Sequence, residues 1–177
     1  MEIGLLIVRV VVGALLVGHG SQKLFGWFGG YGLKGTGGYM ESFGLRPGPL
    51  FAFAAGAAEL SGGLLFGTGL LTPLAAAMVA STMLVAARTD HAGKGLWIFN
   101  GGAEYVVTNA AVVIGFAFAG AGEWSLDHAI GWDVAGTWWG LAASFAAVLG
   151  GGSVLALRRV TSAQAVVAAD TGAVSVI

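Results

Sequence analysis

The stretch IGLLIVRVVVGALLVGHGSQKL, residues 3–24, decides the architecture. It is apolar for long enough to cross a bilayer core, which takes roughly 20 residues of helix, yet it carries Arg9 well inside the run. An ionisable side chain at the centre of a spanning helix costs at least ~2.5 to 3.5 kcal/mol on insertion scales, so such residues are generally paired and mark function. On a helix of 3.6 residues per turn, Arg9, Gly13, Leu16, Gly20 and Lys23 fall on one stripe, with His19 to one side. That stripe is expected to face other helices, because its glycines permit close backbone approach.

Four more segments read the same way: residues 50–71, 73–87, 102–121 and 137–157. The composition agrees, with 56% hydrophobic and only 10% charged residues and a mean hydropathy of +0.84, where a soluble domain carries about 25% charged residues. The fold class is therefore all-α, a polytopic membrane helix bundle. Residues 1–127 form its core with four spans, 128–159 an outer loop and a fifth span, and 160–177 a mobile cytoplasmic tail. Thr72 and Pro73 read as an N-cap followed by proline in the first turn, so the second and third spans meet at a tight turn. Gly150, Gly151 and Gly152 weaken the fifth helix. The acidic start Met1-Glu2 lacks the basic region of a secretory signal, so the first run reads as an uncleaved span.

With five spans, Lys23, Lys34, Arg46, Arg88, Lys94, Arg158 and Arg159 share one side, and the eighth basic residue is Arg9. By the positive-inside rule the N-terminus is then outside and the C-terminus cytoplasmic. The loop 122–136, with Glu123, Asp127 and Asp133, faces out. Glycines across residues 26–49 favour turns, with a short interfacial helix over 39–43. Trp27, Phe28, Tyr31, Trp97, Trp124, Trp138 and Trp139 flank the spans as an aromatic belt does. A net charge of −1 gives no basic patch for nucleic acid. Zero cysteines exclude disulfides, thiolate metal sites and a cysteine nucleophile, and three scattered histidines do not make a metal site. No phosphate loop or dinucleotide fingerprint is present.

The polar residues inside the spans are the candidates for ligand binding or proton handling: His19, Glu104, Arg9, Glu59 and Lys23. At ~1.5 Å rise per residue, Arg9 lies about 10 Å and Glu59 about 15 to 16 Å from the outer edge, a difference an arginine side chain covers. An Arg9–Glu59 ion pair is the expectation, and its plainer reading is a structural pair that sets helix register. His19 and Glu104 come out about 5 to 8 Å from the cytoplasmic edge, near Lys23 and Arg88, as a polar column opening inward. For Lys23, Arg88 and Lys94 the plainer reading is a topology signal, and for His19 a packing residue at a helix end. Glu104 has no basic residue on its own helix, so it needs a partner or a proton. Asp90 and His91 read as solvated, and Asn109 as a hydrogen bond between helices.

The run Gly18-His19-Gly20-Ser21-Gln22-Lys23-Leu24-Phe25-Gly26, following Arg9 at this distance, resembles the DoxX family of small bacterial membrane proteins. Further matches are Ala58-Glu59-Leu60-Ser61-Gly62-Gly63-Leu64-Leu65, Gly69-Leu70-Leu71-Thr72-Pro73, Gly102-Ala103-Glu104-Tyr105 and Gly120-Ala121-Gly122-Glu123-Trp124-Ser125-Leu126-Asp127, together covering residues 5–127. The resemblance implies a four-helix membrane core related to the membrane subunits of thiosulfate:quinone oxidoreductase, with some members linked to complexes that handle thiol and oxidative stress. The fifth span and the polar tail depart from it.

The leading expectation is a membrane component of a redox system that contacts quinone, with no covalent cofactor, or that anchors a soluble oxidoreductase partner. It fits a non-catalytic subunit better than an autonomous enzyme. The bilayer is its surrounding, and a homo-oligomer is compatible with it. Two alternatives stay open: a small-molecule or proton-coupled carrier, and a structural membrane module whose charges only hold the bundle together.

Overall fold

The computed structural model describes residues 1–173 apart from Asp133, with side chains as far as Arg158. The expectations on Asp133, on the Arg159 side chain and on residues 174–177 lie outside the described residues. The described residues are mainly helical, with α1 (Glu2–Phe25), α2 (Gly32–Ser42), α3 (Gly48–Thr68), α4 (Thr72–Arg88), α5 (Glu104–Ala119), α6 (Leu126–Ala129) and α7 (Thr137–Ala173). Among the described residues there is no strand.

Packing follows chain order at first. α1 lies against α3, α3 against α4, and α5 and α7 both close on α4, while α2 rests on α3 and α1. The helices α1, α3 and the Thr137–Arg158 part of α7 are long and apolar enough to cross a membrane. The 17 residues of α4 and 16 of α5 are apolar but shorter, ~26 and ~24 Å at 1.5 Å per residue. Leu16, Phe66, Val79 and Val113 are fully buried, with Phe66 edge-on to Phe116 at 5.1 Å between ring centres. Ile7, Val10, Val11 and Leu15 on α1, and Leu141, Phe145 and Val148 on α7, point outward instead. A helix apolar on its outer face is built for lipid. All seven aromatic residues expected to flank the spans are exposed.

The α1–α3 contact is backbone on backbone. A Cβ on Gly13 would come within 2.7 Å of the Gly63 carbonyl oxygen, and one on Gly20 within 2.5 Å of the Leu60 nitrogen. Arg9, Gly13, Leu16 and Gly20 are all buried, as the stripe predicted.

Three local expectations are corrected. The glycine-rich first loop holds α2, which begins at Gly32 rather than at residue 39. Its Gly37 is a contact point, where a Cβ would meet the Pro49 nitrogen at 2.8 Å, and Glu41 accepts the Gly48 amide at 2.8 Å. Gly150 and Gly151 do not break α7, because they are where it packs onto Ser81 and Leu84 of α4. The apolar part of α7 ends at Arg158, next to the expected end of the fifth span, and the helix itself runs on to Ala173. Thr72 does not cap α4, because the residue before the helix is Leu71, held at positive φ (49°), and the capping acceptor comes from far away in sequence.

Candidate functional site

The register that Gly13 and Gly20 impose on α1 and α3 places Lys23 beside Glu59, with Nζ 2.5 Å from Oε2. The carboxylate is the more buried partner, at 7% exposure against 24% for the lysine. Arg9 is therefore not the partner of Glu59, contrary to expectation. Arg9 is level with Gly67, where a Cβ would lie 3.7 Å from the Arg9 carbonyl, and Glu59 is eight residues away along α3, ~12 Å. Depth reckoned from assumed span ends cannot resolve a helix offset of that size.

The Lys23–Glu59 pair lies on one wall of a cavity of about 550 Å³ enclosed by α1, α2, α3, α4, α5 and α7. His19, one turn before Lys23, shares that wall, and so does Tyr105 from α5. The two rings touch, with centres 5.4 Å apart and planes tilted by 56°. The Tyr105 hydroxyl is buried, with the Asn109 side chain close to it. Much of the remaining lining is apolar, including Phe43, Phe51, Met78, Met83 and Val85. Tyr105 was missed as a candidate because it carries no formal charge, and it was the charged residues and a histidine that stood out inside the apolar spans.

Glu104 takes no part in this wall. It is the first residue of α5, and its carboxylate accepts the Ile98 amide at 3.0 Å, closing the loop before the helix. Adjacent positions on a helix diverge by about 100°, so bringing Tyr105 to the cavity turns Glu104 away. The inward polar column therefore holds His19 and Lys23 without Glu104. Asn109 bonds within its own helix, donating to the Tyr105 carbonyl at 2.9 Å, rather than across helices.

At the same end of the bundle the cavity reaches Tyr39, Asp90 and His91. The Tyr39 hydroxyl donates to Asp90 at 2.7 Å, and Lys94 donates to the same carboxylate at 3.3 Å. That bond from Tyr39, with burial and the negative charge beside it, pushes the Tyr39 phenol up to about 12. Burial raises Asp90, but the bonds from Tyr39 and Lys94 outweigh it and hold the carboxyl below its ordinary value. His91, expected to be solvated, bonds through Nδ1 to the Gly101 carbonyl at 2.6 Å and ties the α4–α5 loop. Arg158 reaches the Phe43 and Arg88 carbonyls, so these basic positions gather at one end of the bundle.

The opposite end is organised by Arg9. Its guanidinium is 1% exposed and donates to the carbonyls of Ala121 at 2.6 Å and Trp124 at 2.5 Å. Asp127 accepts the Leu71 amide at 2.7 Å, the Thr72 amide at 3.0 Å and the Thr72 hydroxyl at 2.7 Å. It thus satisfies helix-start donors that have no partner inside α4. Glu2 accepts the Glu123 amide at 2.7 Å. Gly69, at φ 66°, leaves the space that the Arg9 guanidinium and Ser125 fill. Arg9 and Asp127 therefore fasten the loop between α5 and α7 over the ends of α1, α3 and α4. Asp127 was visible in sequence only as an acidic loop residue.

The match to the DoxX family model covers residues 4–92, about half of the chain. The chain belongs to the DoxX family. The matched part of this DoxX protein holds α1 to α4, with Arg9, His19, Lys23 and Glu59, whereas Tyr105 and Asp127 lie beyond it. Neither a curated protein nor a solved structure matches the chain.

Proposed function

We propose that this DoxX protein is an integral membrane component of a redox system and that its cavity receives the head of a quinone. The observation that carries the reading is the single wall on which His19, Lys23, Glu59 and Tyr105 meet inside an otherwise largely apolar chamber of about 550 Å³. Ligand sites are typically ~300 to 1,000 Å³, mostly apolar, with a few polar groups that orient the ligand. Quinone carbonyls need hydrogen-bond donors beside an apolar pocket, and His19 and Tyr105 are the side chains on that wall able to donate outside the Lys23–Glu59 pair. A chain without cysteine has no thiol chemistry of its own, which favours work beside a soluble oxidoreductase over autonomous catalysis. In this reading the protein sits in the bacterial inner membrane with the cavity end and its basic loops toward the cytoplasm.

The test is extraction of bound lipids from protein purified from native membranes, together with equilibrium titration by a decyl-chain benzoquinone. Co-purified quinone and saturable binding are expected. If neither is found, the quinone reading fails. Solute- or proton-coupled flux in liposomes without quinone binding would make the protein a carrier instead.

A further inference from the structure

We infer that the cavity selects an uncharged head group, contacted by His19 and Tyr105, because among the described residues lining it the only lysine or arginine, Lys23, is paired with Glu59. The inference rests on reading the cavity as a ligand site, and it does not require the ligand to be a quinone.

The four polar groups on the wall differ in their commitments. Lys23 and Glu59 are engaged with one another at 2.5 Å, so together they present no net charge. An anionic amphiphile entering there would face the Glu59 carboxylate as well as the ammonium, and it would lose hydration without gaining an unshared partner. Such an arrangement disfavours the wrong ligand as much as it favours the right one. His19 is the opposite case. It is held by the Tyr105 ring and, among the described residues, makes no hydrogen bond. The Tyr105 hydroxyl is buried beside it, with the Asn109 side chain and the Glu59 carboxylate close by. An imidazole and a phenol can each donate to or accept from a carbonyl or hydroxyl oxygen. The wall thus offers hydrogen-bonding side chains to a ligand while its lysine and carboxylate are engaged with one another.

Three probes with the same chain separate the possibilities: decyl-benzoquinone, decanol and decanoate, titrated at pH 8. The native protein is expected to bind decanol and the quinone, and decanoate at least about tenfold more weakly. Glu59→Gln frees the ammonium and is expected to strengthen decanoate about tenfold while leaving decanol within about twofold. The double variant Lys23→Gln with Glu59→Gln is expected to show no such gain. His19→Leu is expected to weaken decanol and the quinone about fivefold, with His19→Gln recovering part, and Tyr105→Phe to weaken them a few-fold.

Decanoate binding to the native protein as tightly as decanol overturns the inference, and that ratio decides even if Glu59→Gln fails to fold. Decanoate left unchanged by a folded Glu59→Gln variant also overturns it. If decanol binds with this selectivity and the quinone does not, the quinone reading falls and the inference stands. If the quinone binds unaffected by His19→Leu and Tyr105→Phe, the quinone reading stands and the inference falls. Absence of binding by every probe overturns both.

Discussion

The Arg9 guanidinium sits among main-chain carbonyls, and its burial is made tolerable by hydrogen bonds to the Ala121 and Trp124 oxygens together with the nearby charges of Asp127 and Glu2. Replacing it by methionine strands those two acceptors at the end of the bundle. Hydrogen bonds to charged groups contribute ~1.5 to 3 kcal/mol each, so Arg9→Met, which removes two, is expected to cost about 3 to 6 kcal/mol and to expose the loop between α5 and α7. Thermal unfolding in detergent with limited proteolysis of that loop measures both effects. Asp127→Ala is expected to act in the same direction, since it removes the acceptor of three donors at the start of α4. Asn at that position should recover part of the loss. If Arg9→Met lowered quinone or decanol affinity while the loop stayed protected, Arg9 would belong to the ligand site after all.

Among the elements, the α1–α3 pair is the one whose separation would undo the cavity wall. Gly63 admits no side chain, since a Cβ there would stand 2.8 Å from both the Gly13 carbonyl and the Leu16 Cβ. Gly18, with nothing within 4 Å of its Cβ position, is the matched control. Gly63→Val is expected to destabilise the bundle by about 1 to 3 kcal/mol, whereas Gly18→Ala should stay within ~0.5 kcal/mol. Unfolding by circular dichroism separates the two.

The link between α2 and the loop after α4 is a pH-dependent element. Tyr39 ionises at about 12 in the folded protein against an ordinary 10.0, so its contribution is complete below pH 10 and is lost as pH rises through 12. Asp90 has the opposite sign. Its folded value lies below the ordinary 3.8, so its contribution is present above that value and is lost as pH falls through the lowered one. Asp90→Asn is expected to bring the Tyr39 titration down toward 10, read by phenolate absorbance. An unchanged titration would mean that the Tyr39–Asp90 bond is not formed in solution.

For the whole molecule, the proposed orientation is testable because the chain has no native cysteine. Single cysteines at Lys34 or Lys94 are expected to react with an impermeant maleimide only after the cytoplasmic side is opened. A cysteine at Glu123 is expected to react from outside in intact cells. The reverse pattern would place the cavity end outward and remove the positive-inside argument.

Read by itself, the amino-acid sequence determined the helical membrane bundle, the inward stripe of α1, the aromatic flanks and the DoxX resemblance. Those follow from apolar run length, helical period and local motif, which are properties of neighbouring residues. Glu59 and His19 were recognisable as polar residues out of place in apolar spans, and Tyr105 was not. Only the tertiary structure decided partners. The register between α1 and α3 is set by glycine backbones meeting at Gly13–Gly63 and Gly20–Leu60, and that contact gives Glu59 to Lys23 rather than to Arg9. The partners of Arg9 lie more than a hundred residues away in a loop, and the 100° turn between Glu104 and Tyr105 sends one to a loop amide and the other to the cavity. Pairing across helices depends on offset and rotation, and offset and rotation come from packing.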